Sequence, residues 1–203
     1  MRDSFAFKPW ALDGPTAFFW RHTTAMNIIL IGYRCTGKTS VGRRLAQRLG
    51  RPFVDTDEQV EKGAGRGIPD LVSMHGWPAF RKMETRLIQD LCRRDDLVIS
   101  TGGGVVLDPR NVELLKRRGW VVWLQAGPEK IRRRMQEDGL RGHTRPGLTG
   151  KDPLGEIETV LRQRLSLYQG AAHHRVDTSF LGVEEVVDRI IMRAPLQGPG
   201  RSA

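Results

Sequence analysis

The sequence predicts an α/β domain in which a parallel sheet of five strands carries helices on both faces. Three observations support this fold class. Short apolar runs alternate with amphipathic helical stretches along most of the chain, and helices are the usual connection between neighbouring parallel strands. The runs are apolar throughout, as expected of strands that helices cover on both sides. The first run also leads through a glycine-rich loop directly into a helix.

Turn residues bound the apolar runs and set the order of the predicted elements. Strands are predicted at residues 28–31, 52–54, 97–100, 120–124 and 175–177. Helices are predicted at residues 38–49, 79–93, 111–118, 157–168 and 183–191, and a polar helical stretch extends to about residue 75. Each strand is thus followed by a helical stretch, which is the pattern of a parallel sheet.

The length of the chain indicates one domain. With 203 residues, the chain can build one substantial core and is short for two. We expect the domain to span residues 26–193, followed by a disordered tail at 194–203. Residues 1–25 are interpreted as a disordered extension or as a start placed too early, since Met26 stands directly before the first strand. They lack the apolar core of a signal peptide, and no segment approaches the ~20 apolar residues of a membrane helix.

The chain is basic, with a formal net charge of +10. This charge is compatible with nucleic acid, an anionic membrane surface or small anionic ligands as partners, and composition alone does not choose between them. No helix-turn-helix or RNA-binding signature accompanies it, so we expect neither nucleic acid nor a membrane as a partner. Cys35 and Cys92 lie far apart, which argues against a disulfide framework or a zinc site and favours a reducing compartment.

Residues 138–154 interrupt the hydrophobic pattern. The segment is rich in Gly, Arg, Thr and Pro and has helical stretches on both sides. A segment of this length without structure of its own is uncommon inside a compact domain and is often functional. We interpret it as a mobile lid.

Residues 27–39 contain the pattern G-x-x-x-x-G-K-T after an apolar strand, which is typical of a phosphate-binding loop. Gly32 and Gly37 permit backbone conformations that turn N–H groups towards a phosphate. Lys38 is expected to place its charge between the outer phosphates, and the Thr39 hydroxyl to bind Mg²⁺. The alternative is a glycine-rich turn before an ordinary helix. The predicted ATP contacts are Gly32, Cys35, Thr36, Gly37, Lys38, Thr39 and Ser40.

Two carboxylates follow the second strand. Asp55 and Asp57 lie at its carboxyl end, where open α/β sheets place their ligand crevice. Alternation at the strand end is expected to send both side chains in comparable directions, so that one serves the metal and the other a substrate hydroxyl. The alternative is a pair of N-terminal capping residues for the next helix, which is compatible with a chemical role for Asp57.

The segment FRKME at residues 80–84 places an acid on an apolar helix face. Glu84 shares that face with Phe80 and Leu87, and Arg81 lies three residues before it. This spacing permits an ion pair in which Glu84 directs the Arg81 guanidinium towards a carboxylate ligand. A surface salt bridge would more naturally lie on the polar face.

Arg164 occupies a similar position on the later helix. It fills one place of the apolar stripe formed by Ile157, Val160, Leu161, Leu165 and Tyr168. A cation on an apolar stripe requires a partner or an anion. The alternative, equally consistent with the sequence, is an arginine whose head reaches water.

Two further features are candidates for ligand contact. Gly102, Gly103 and Gly104 follow the third strand, and their backbone can approach a ligand without interference from side chains. Arg145 in the proposed lid could close over the transferring phosphates. The alternatives are an ordinary flexible turn for the glycines and a solvated loop residue for Arg145.

Taken together, these motifs resemble the shikimate kinase family. The resemblance rests on GYRCTGKTS, VDTD, FRKME, STGGGVV, RPGL and RQRLSLY, which occur in this order between residues 26 and 193. The phosphate loop is common to many kinases, whereas the combination of motifs in this order is specific. The resemblance implies a three-layer P-loop kinase fold with a mobile lid. It also implies ATP-dependent phosphorylation of the 3-hydroxyl of shikimate on the route to chorismate and aromatic amino acids.

The resemblance also implies roles for individual residues. Thr39 and, through water, Asp55 would hold Mg²⁺, and Lys38 and Arg145 would stabilise the γ-phosphoryl group. Asp57 would contact the hydroxyls of shikimate, while two arginines would bind its carboxylate. The residues implied to bind shikimate are Asp57, Arg81, Gly102, Gly103, Gly104 and Arg164. The protein is expected to be a cytoplasmic monomer with ATP and shikimate as its small-molecule partners.

The chain departs from the family pattern at Cys35, where a glycine is usual, at Gly147 in the lid and at Trp77. The family's adenine contact comes partly from an arginine near the lid, for which Arg134 and Arg141 are both candidates. Alternatives to the resemblance are a different small P-loop kinase, such as a gluconate or nucleotide kinase, and a non-catalytic module that senses nucleotides or binds nucleic acid.

Overall fold

The computed structural model describes residues 26–140 and 152–195. The elements, in chain order, are β1 (Asn27–Ile31), α1 (Lys38–Leu49), β2 (Phe53–Asp55), α2 (Thr56–Ala64), α3 (Ile68–Leu91), β3 (Val98–Ser100), a 3-10 turn (Val105–Leu107), α4 (Pro109–Arg118), β4 (Gly119–Gln125), α5 (Pro128–Leu140), α6 (Ile157–Ala171), β5 (His174–Asp177) and α7 (Val183–Arg193). The N-terminal 25 residues and nearly all of the tail lie outside the described residues, as does most of the expected lid.

The five strands form one parallel sheet in the order β2-β3-β1-β4-β5. Strand β1 lies at its centre, where Ile29 pairs with Ile99 of β3 on one side and with Val121 of β4 on the other. Since all strands run in the same direction, their carboxyl ends meet at one edge of the sheet. The five-stranded parallel sheet predicted from the sequence is confirmed.

Alternating side chains of β1 divide the core into two layers. Ile28 and Leu30 pack against helices α1 and α7, whereas Ile29 and Ile31 pack against α3, α4 and α6. This division follows from the two-residue period of a strand, which directs successive side chains to opposite faces. Because both faces are covered, every residue of β1 is buried, and the continuous apolar run is explained.

The structure differs from the sequence prediction between β2 and β3. A polar stretch and a separate helix from residue 79 were expected, but α3 runs from Ile68 to Leu91 through a kink. Gly76 adopts a positive φ of 74° at the kink, and Pro78 follows it two residues later. Glycine tolerates this conformation and proline lacks a backbone N–H, so the helical hydrogen bonds break locally before the helix resumes. The two apolar stretches on either side therefore pack against the same core.

Strand β2 begins one residue later than expected and includes Asp55. Its pairing with β3, from Phe53 opposite Val98 to Asp55 opposite Ser100, sets these bounds. Among the helices of residues 26–140 and 152–195, none combines the length and the hydropathy that crossing a bilayer requires.

A histidine connects β4 to the segment that leads into β5. The backbone N–H of Val121 donates a hydrogen bond of 2.9 Å to Nδ1 of His173. An acceptor nitrogen must be unprotonated, so this contact requires the neutral ring. Burial lowers the pKa of His173 from its ordinary value of 6.5, and the charge of Lys116 lowers it further.

We expect acid to destabilise the protein partly through His173. Because the folded-state pKa lies below the unfolded value, the unfolded chain binds more protons as the pH falls below about 6.5. The free energy of unfolding should therefore fall as the pH is lowered through this window and level off below the folded-state pKa. Urea unfolding at a series of pH values measures this slope. In His173→Gln, which keeps an acceptor but does not titrate, the slope should be smaller; equal slopes would contradict the assignment.

Candidate active site

The loop between β1 and α1 lies at the carboxyl edge of the sheet and begins at a glycine that no other residue can replace without strain. Gly32 has a φ of 143°, and a Cβ at this position would overlap the carbonyl oxygen of Leu124. The loop ends at Gly37, whose φ is 95°, and α1 starts immediately after it. The loop thus presents backbone N–H groups and the N-terminus of a helix at the same point, which favours a bound phosphate.

The side chain of Lys38 folds back over the phosphate loop. Its Nζ donates a hydrogen bond of 2.8 Å to the carbonyl oxygen of Tyr33, and the Thr36 hydroxyl donates to the same oxygen at 2.8 Å. Lys38 is buried, as are Tyr33, Arg34 and Thr36 of the loop. Its charge is therefore held beside the N–H groups, as a phosphate-binding lysine requires.

Thr39 and Asp55 bring two oxygens together at the start of α1. The Thr39 hydroxyl donates a hydrogen bond of 2.7 Å to Oδ2 of Asp55. Mg²⁺ prefers such hard oxygen ligands and usually retains waters and phosphate oxygens as its other ligands. Residues 26–140 and 152–195 contain no group of three or more acidic, histidine or cysteine side chains that could hold a metal by themselves. This donor set fits Mg²⁺ bound together with a nucleotide.

Asp55 also caps the following helix. Its Oδ1 accepts hydrogen bonds from the backbone N–H groups of Asp57, at 3.0 Å, and Glu58, at 3.4 Å. The chain enters α2 at Thr56, so strand alternation does not set the direction of Asp57, contrary to the sequence argument. The capping alternative is correct for Asp55, and it leaves Oδ2 for Thr39. Asp57 instead lies against the turn at Gly102, where a Cβ would come within 2.7 Å of its Oδ1.

The predicted ion pair on α3 is confirmed. Arg81 Nη1 donates to Oε2 of Glu84 at 2.6 Å, and only 1% of the Glu84 side chain is exposed. The rings of Trp77 and Phe80 lie 5.3 and 5.1 Å from the guanidinium carbon of Arg81, so aromatic faces hold the cation as well. Burial raises the pKa of Glu84, although Arg81 acts in the opposite direction.

The turn after β3 leaves little room for side chains. A Cβ at Gly102 would come within 2.5 Å of Oε1 of Glu84, and a Cβ at Gly104 would overlap the guanidinium of Arg81. Gly103 packs against the phosphate loop, because a Cβ at this position would lie 3.3 Å from the backbone nitrogen of Arg34 and 3.4 Å from the Gly32 carbonyl oxygen. These contacts favour a close backbone approach over the alternative of an ordinary flexible turn.

Arg164 is buried, so the alternative of an arginine that reaches water is wrong. Its side chain is 7% exposed, and Nη1 donates to the carbonyl oxygen of Gly103 at 2.9 Å. The hydroxyl of Tyr168, one helical turn later, donates to the same oxygen at 2.5 Å. Tyr168 in turn stacks on Trp123 of β4 with ring centroids 5.8 Å apart. Burial raises the pKa of Tyr168 to about 12, so the hydroxyl keeps its proton.

These groups surround one cavity of about 750 Å³. The predicted site residues in its wall are Thr39, Ser40, Asp55, Asp57, Arg81, Gly102, Gly103, Gly104 and Arg164. Tyr33 and Arg34 of the phosphate loop also line the cavity, whereas the predicted ATP contacts Gly32, Cys35, Thr36, Gly37 and Lys38 lie in the same loop outside its wall. Arg145, Arg141 and Gly147 lie outside the described residues, so the structure does not place them.

The sequence argument missed several residues that support the site. Thr56 is fully buried, and its hydroxyl accepts a hydrogen bond of 2.9 Å from the N–H of Gly102. The hydroxyls of Tyr168 and Thr178 instead donate hydrogen bonds to backbone carbonyl oxygens, those of Gly103 and Thr36. A repeated tripeptide could have indicated two of them, because Val-Asp-Thr occurs at residues 54–56 and again at 176–178, each time at the end of a strand.

A parallel α/β sheet with a phosphate loop after its central strand, and a cavity that joins this loop to one buried and one half-buried arginine, defines a P-loop kinase for a small-molecule acceptor. Comparison with known proteins is consistent with this class. The family model for shikimate kinase matches residues 34–195. Because this match covers most of the chain, the chain belongs to the shikimate kinase family.

Individual relatives agree with the family match. The chain is 46% identical over 175 residues to the shikimate kinase of Syntrophus aciditrophicus (strain SB), covering 82% of this chain and 90% of the relative. It is 44% identical over 173 residues to that of Symbiobacterium thermophilum, covering 85% of this chain and 98% of the relative. A solved shikimate kinase from Acinetobacter baumannii in complex with shikimate is 36% identical, with a TM-score of 0.77 over 83% of this chain and 92% of the other.

These similarities confirm the family resemblance, the fold class and the kinase activity of the shikimate pathway that the sequence predicted. They favour this activity over a gluconate kinase, a nucleotide kinase or a non-catalytic module. The roles of individual residues are a separate question, since they depend on the geometry of this chain.

Two substitutions of Asp55 separate its role as a helix cap from the effect of its negative charge. We expect Asp55→Ala to lower the free energy of unfolding by about 1–2 kcal/mol, because α2 loses the acceptor for its first N–H groups. Asp55→Asn keeps an acceptor oxygen and should cost less. Urea unfolding of both variants measures the difference. Equal losses would show that the carboxylate charge, rather than the capping hydrogen bonds, stabilises α2.

Proposed function

We propose that this protein transfers the γ-phosphoryl group of Mg-ATP to the 3-hydroxyl of shikimate through the residues around the Gly102–Gly104 turn. One observation carries the proposal. Two arginines, Arg81 and Arg164, are buried or half-buried in one cavity with Asp57, and that cavity opens onto the phosphate loop. This arrangement suits an acceptor that has a carboxylate at one end and hydroxyl groups at the other.

Arg81 and Arg164 would bind the carboxylate. Each guanidinium has five N–H donors in a planar fork that matches a carboxylate. The ion pair with Glu84 orients Arg81, and the Gly103 carbonyl orients Arg164. Both cations are therefore held in place before the acceptor arrives, which reduces the cost of ordering them on binding.

Asp57 would orient the acceptor hydroxyl and accept its proton as the new bond to phosphorus forms. Its carboxylate lies against Gly102 in the wall of the cavity that Arg81 and Arg164 also line, so one acceptor molecule can contact all three side chains. Lys38 and the N–H groups of the phosphate loop would stabilise charge on the transferring phosphoryl group. Mg²⁺, held by Thr39 and through water by Asp55, would supply charge neutralisation of the phosphates.

Arg145 is proposed to approach the γ-phosphoryl group from the lid, as the family resemblance implies. Of the two candidates for the adenine contact, Arg134 lies beside the phosphate loop, with Nη1 3.1 Å from the Cys35 carbonyl oxygen. This position supports Arg134 as the adenine contact. We further propose a cytoplasmic monomer formed by one domain at residues 26–193, acting on small molecules without nucleic acid or a membrane.

Release of ADP from Mg-ATP tests the activity directly. We expect strong stimulation by shikimate and none by gluconate, which has a carboxylate and hydroxyls but a different shape. Stimulation by gluconate in place of shikimate would contradict the acceptor assignment. Binding of ATP without turnover in the presence of either acceptor would contradict the catalytic roles.

Gly104→Ala tests the position of Arg81. The added Cβ would overlap the Arg81 guanidinium, so the arginine must move and its grip on the carboxylate must weaken. We expect the KM for shikimate to rise by about tenfold or more, with little change in the KM for ATP. Steady-state kinetics with each substrate varied in turn would measure this.

A matched control is Gly170→Ala in α6, where a new Cβ meets nothing within 4 Å. This variant should gain roughly 0.5–1 kcal/mol of stability from its helix position and keep the KM for shikimate. An unchanged shikimate KM in Gly104→Ala would show that Arg81 does not bind the acceptor.

A further inference from the structure

A partly buried hydrogen-bond network connects the phosphate loop to the end of β5 and to α5. Thr178 follows β5 and is 2% exposed. Its Oγ1 lies 3.0 Å from the carbonyl oxygen of Thr36 and 3.1 Å from that of Gln125, and it can donate to either. The two residues Thr178 and Thr36 are 142 positions apart in the chain. The end of β5 is thereby connected to the loop after β1.

Arg134 of α5 completes the network. Its Nη1 donates to Oγ1 of Thr178 at 3.2 Å and to the carbonyl oxygen of Cys35 at 3.1 Å, while Nη2 donates to the carbonyl oxygen of Thr178 at 2.9 Å. Asp138 lies one helical turn later on the same face, and its Oδ2 accepts a hydrogen bond of 3.5 Å from the Cys35 thiol. Helix α5 therefore holds Cys35 at both its carbonyl and its side chain.

Cys35 needs such support because its backbone is strained. Its φ of 58° lies in the left-handed region, which costs a residue with a Cβ roughly 1–2 kcal/mol. A conformation of this kind persists where its surroundings fix it. The bonds from α5 supply that constraint at a position where glycine would adopt the same φ without strain.

The direction of the two carbonyl groups links the network to phosphate binding. In a planar trans peptide the C=O and the following N–H point in opposite directions. The carbonyls of Cys35 and Thr36 point outwards to Arg134 and Thr178. The N–H groups of Thr36 and Gly37, which belong to the same two peptides, must then point to the inner side of the loop, where the phosphates of ATP are proposed to bind.

We infer that Thr178 and Arg134 are positioning residues for the phosphate loop: they fix two peptide planes so that the N–H groups of Thr36 and Gly37 face the phosphates of ATP. They act on the triphosphate through the loop, not by touching it. The inference rests on the proposed role of the loop in binding ATP. It extends the set of residues on which phosphoryl transfer depends to β5 and α5.

The test compares two ligands that share phosphates but not a base. Calorimetry would measure the Kd of Mg-ATP and of Mg-tripolyphosphate for the full chain and its variants. In Thr178→Val, which keeps the shape and removes the hydroxyl, both Kd values should rise by about fivefold to tenfold, the effect of losing one ordering hydrogen bond. Thr178→Ser, which keeps the hydroxyl, should bind both ligands like the wild type.

Two further variants keep the result decisive. Thr85→Val removes a hydroxyl that accepts a hydrogen bond of 3.1 Å from Asn111, away from the loop, and should leave both Kd values unchanged. Arg134→Lys keeps the charge but cannot bridge three oxygens, and should weaken tripolyphosphate as Thr178→Val does. Thermal unfolding would show whether Thr178→Val folds. If it does not fold, the affinity of Arg134→Lys decides the question.

The inference would be overturned if the variants at positions 134 and 178 bound tripolyphosphate as tightly as the wild type. It would also be overturned if these variants lost affinity for ATP alone, since that would indicate contact with the nucleoside. If the wild-type protein bound neither ligand, the proposed role of the loop itself would fail. If the wild type bound both ligands and the variants bound them equally well, this inference would be overturned while the proposed role of the loop would stand.

Discussion

The turn at Gly102–Gly104 touches four other parts of the molecule, because its three residues have no side chains to keep neighbours away. It packs against the phosphate loop, receives the side chains of Arg81 and Glu84 from α3, contacts Asp57 of α2, and accepts hydrogen bonds from α6. A methyl group at either end of the turn would displace a charged side chain. The close approach of this turn therefore sets the distances between the acceptor groups and the phosphate loop.

Burying charges around this turn has an energetic cost. Glu84 loses nearly all contact with water, and one of its oxygens has no hydrogen-bond partner among the described residues. The ion pair with Arg81 compensates for part of the desolvation cost, and pairs of this kind are often neutral in their effect on stability. Its benefit lies in orientation, since a guanidinium held by a carboxylate and two aromatic rings has few other positions available.

The sequence was most informative where the determinants are local. The phosphate loop occupies eight consecutive positions, and the residue types at Gly32, Gly37, Lys38 and Thr39 follow directly from its geometry. The strands could be predicted because apolar runs covered on both faces differ from amphipathic helices. The Arg81–Glu84 pair was predictable because its two residues lie close together on one helix. The kink at Gly76 and the extent of α3 could not be predicted, because helical hydrogen bonds can resume after a glycine when both segments pack on one core.

From the sequence alone came the fold class, the phosphate loop, the ion pair on α3 and the family. Each depends on residue types at short spacing or on periodic patterns, which a chain carries before it folds. Only the tertiary structure decided that Arg164 is buried against Gly103, 61 residues away in the chain, and that Thr178 supports the loop. Those contacts arise because parallel strands bring their carboxyl ends to one edge of the sheet, so residues distant in sequence meet there. The repeated Val-Asp-Thr marks Thr56 and Thr178 in the sequence, but only the folded sheet shows which backbone groups they contact.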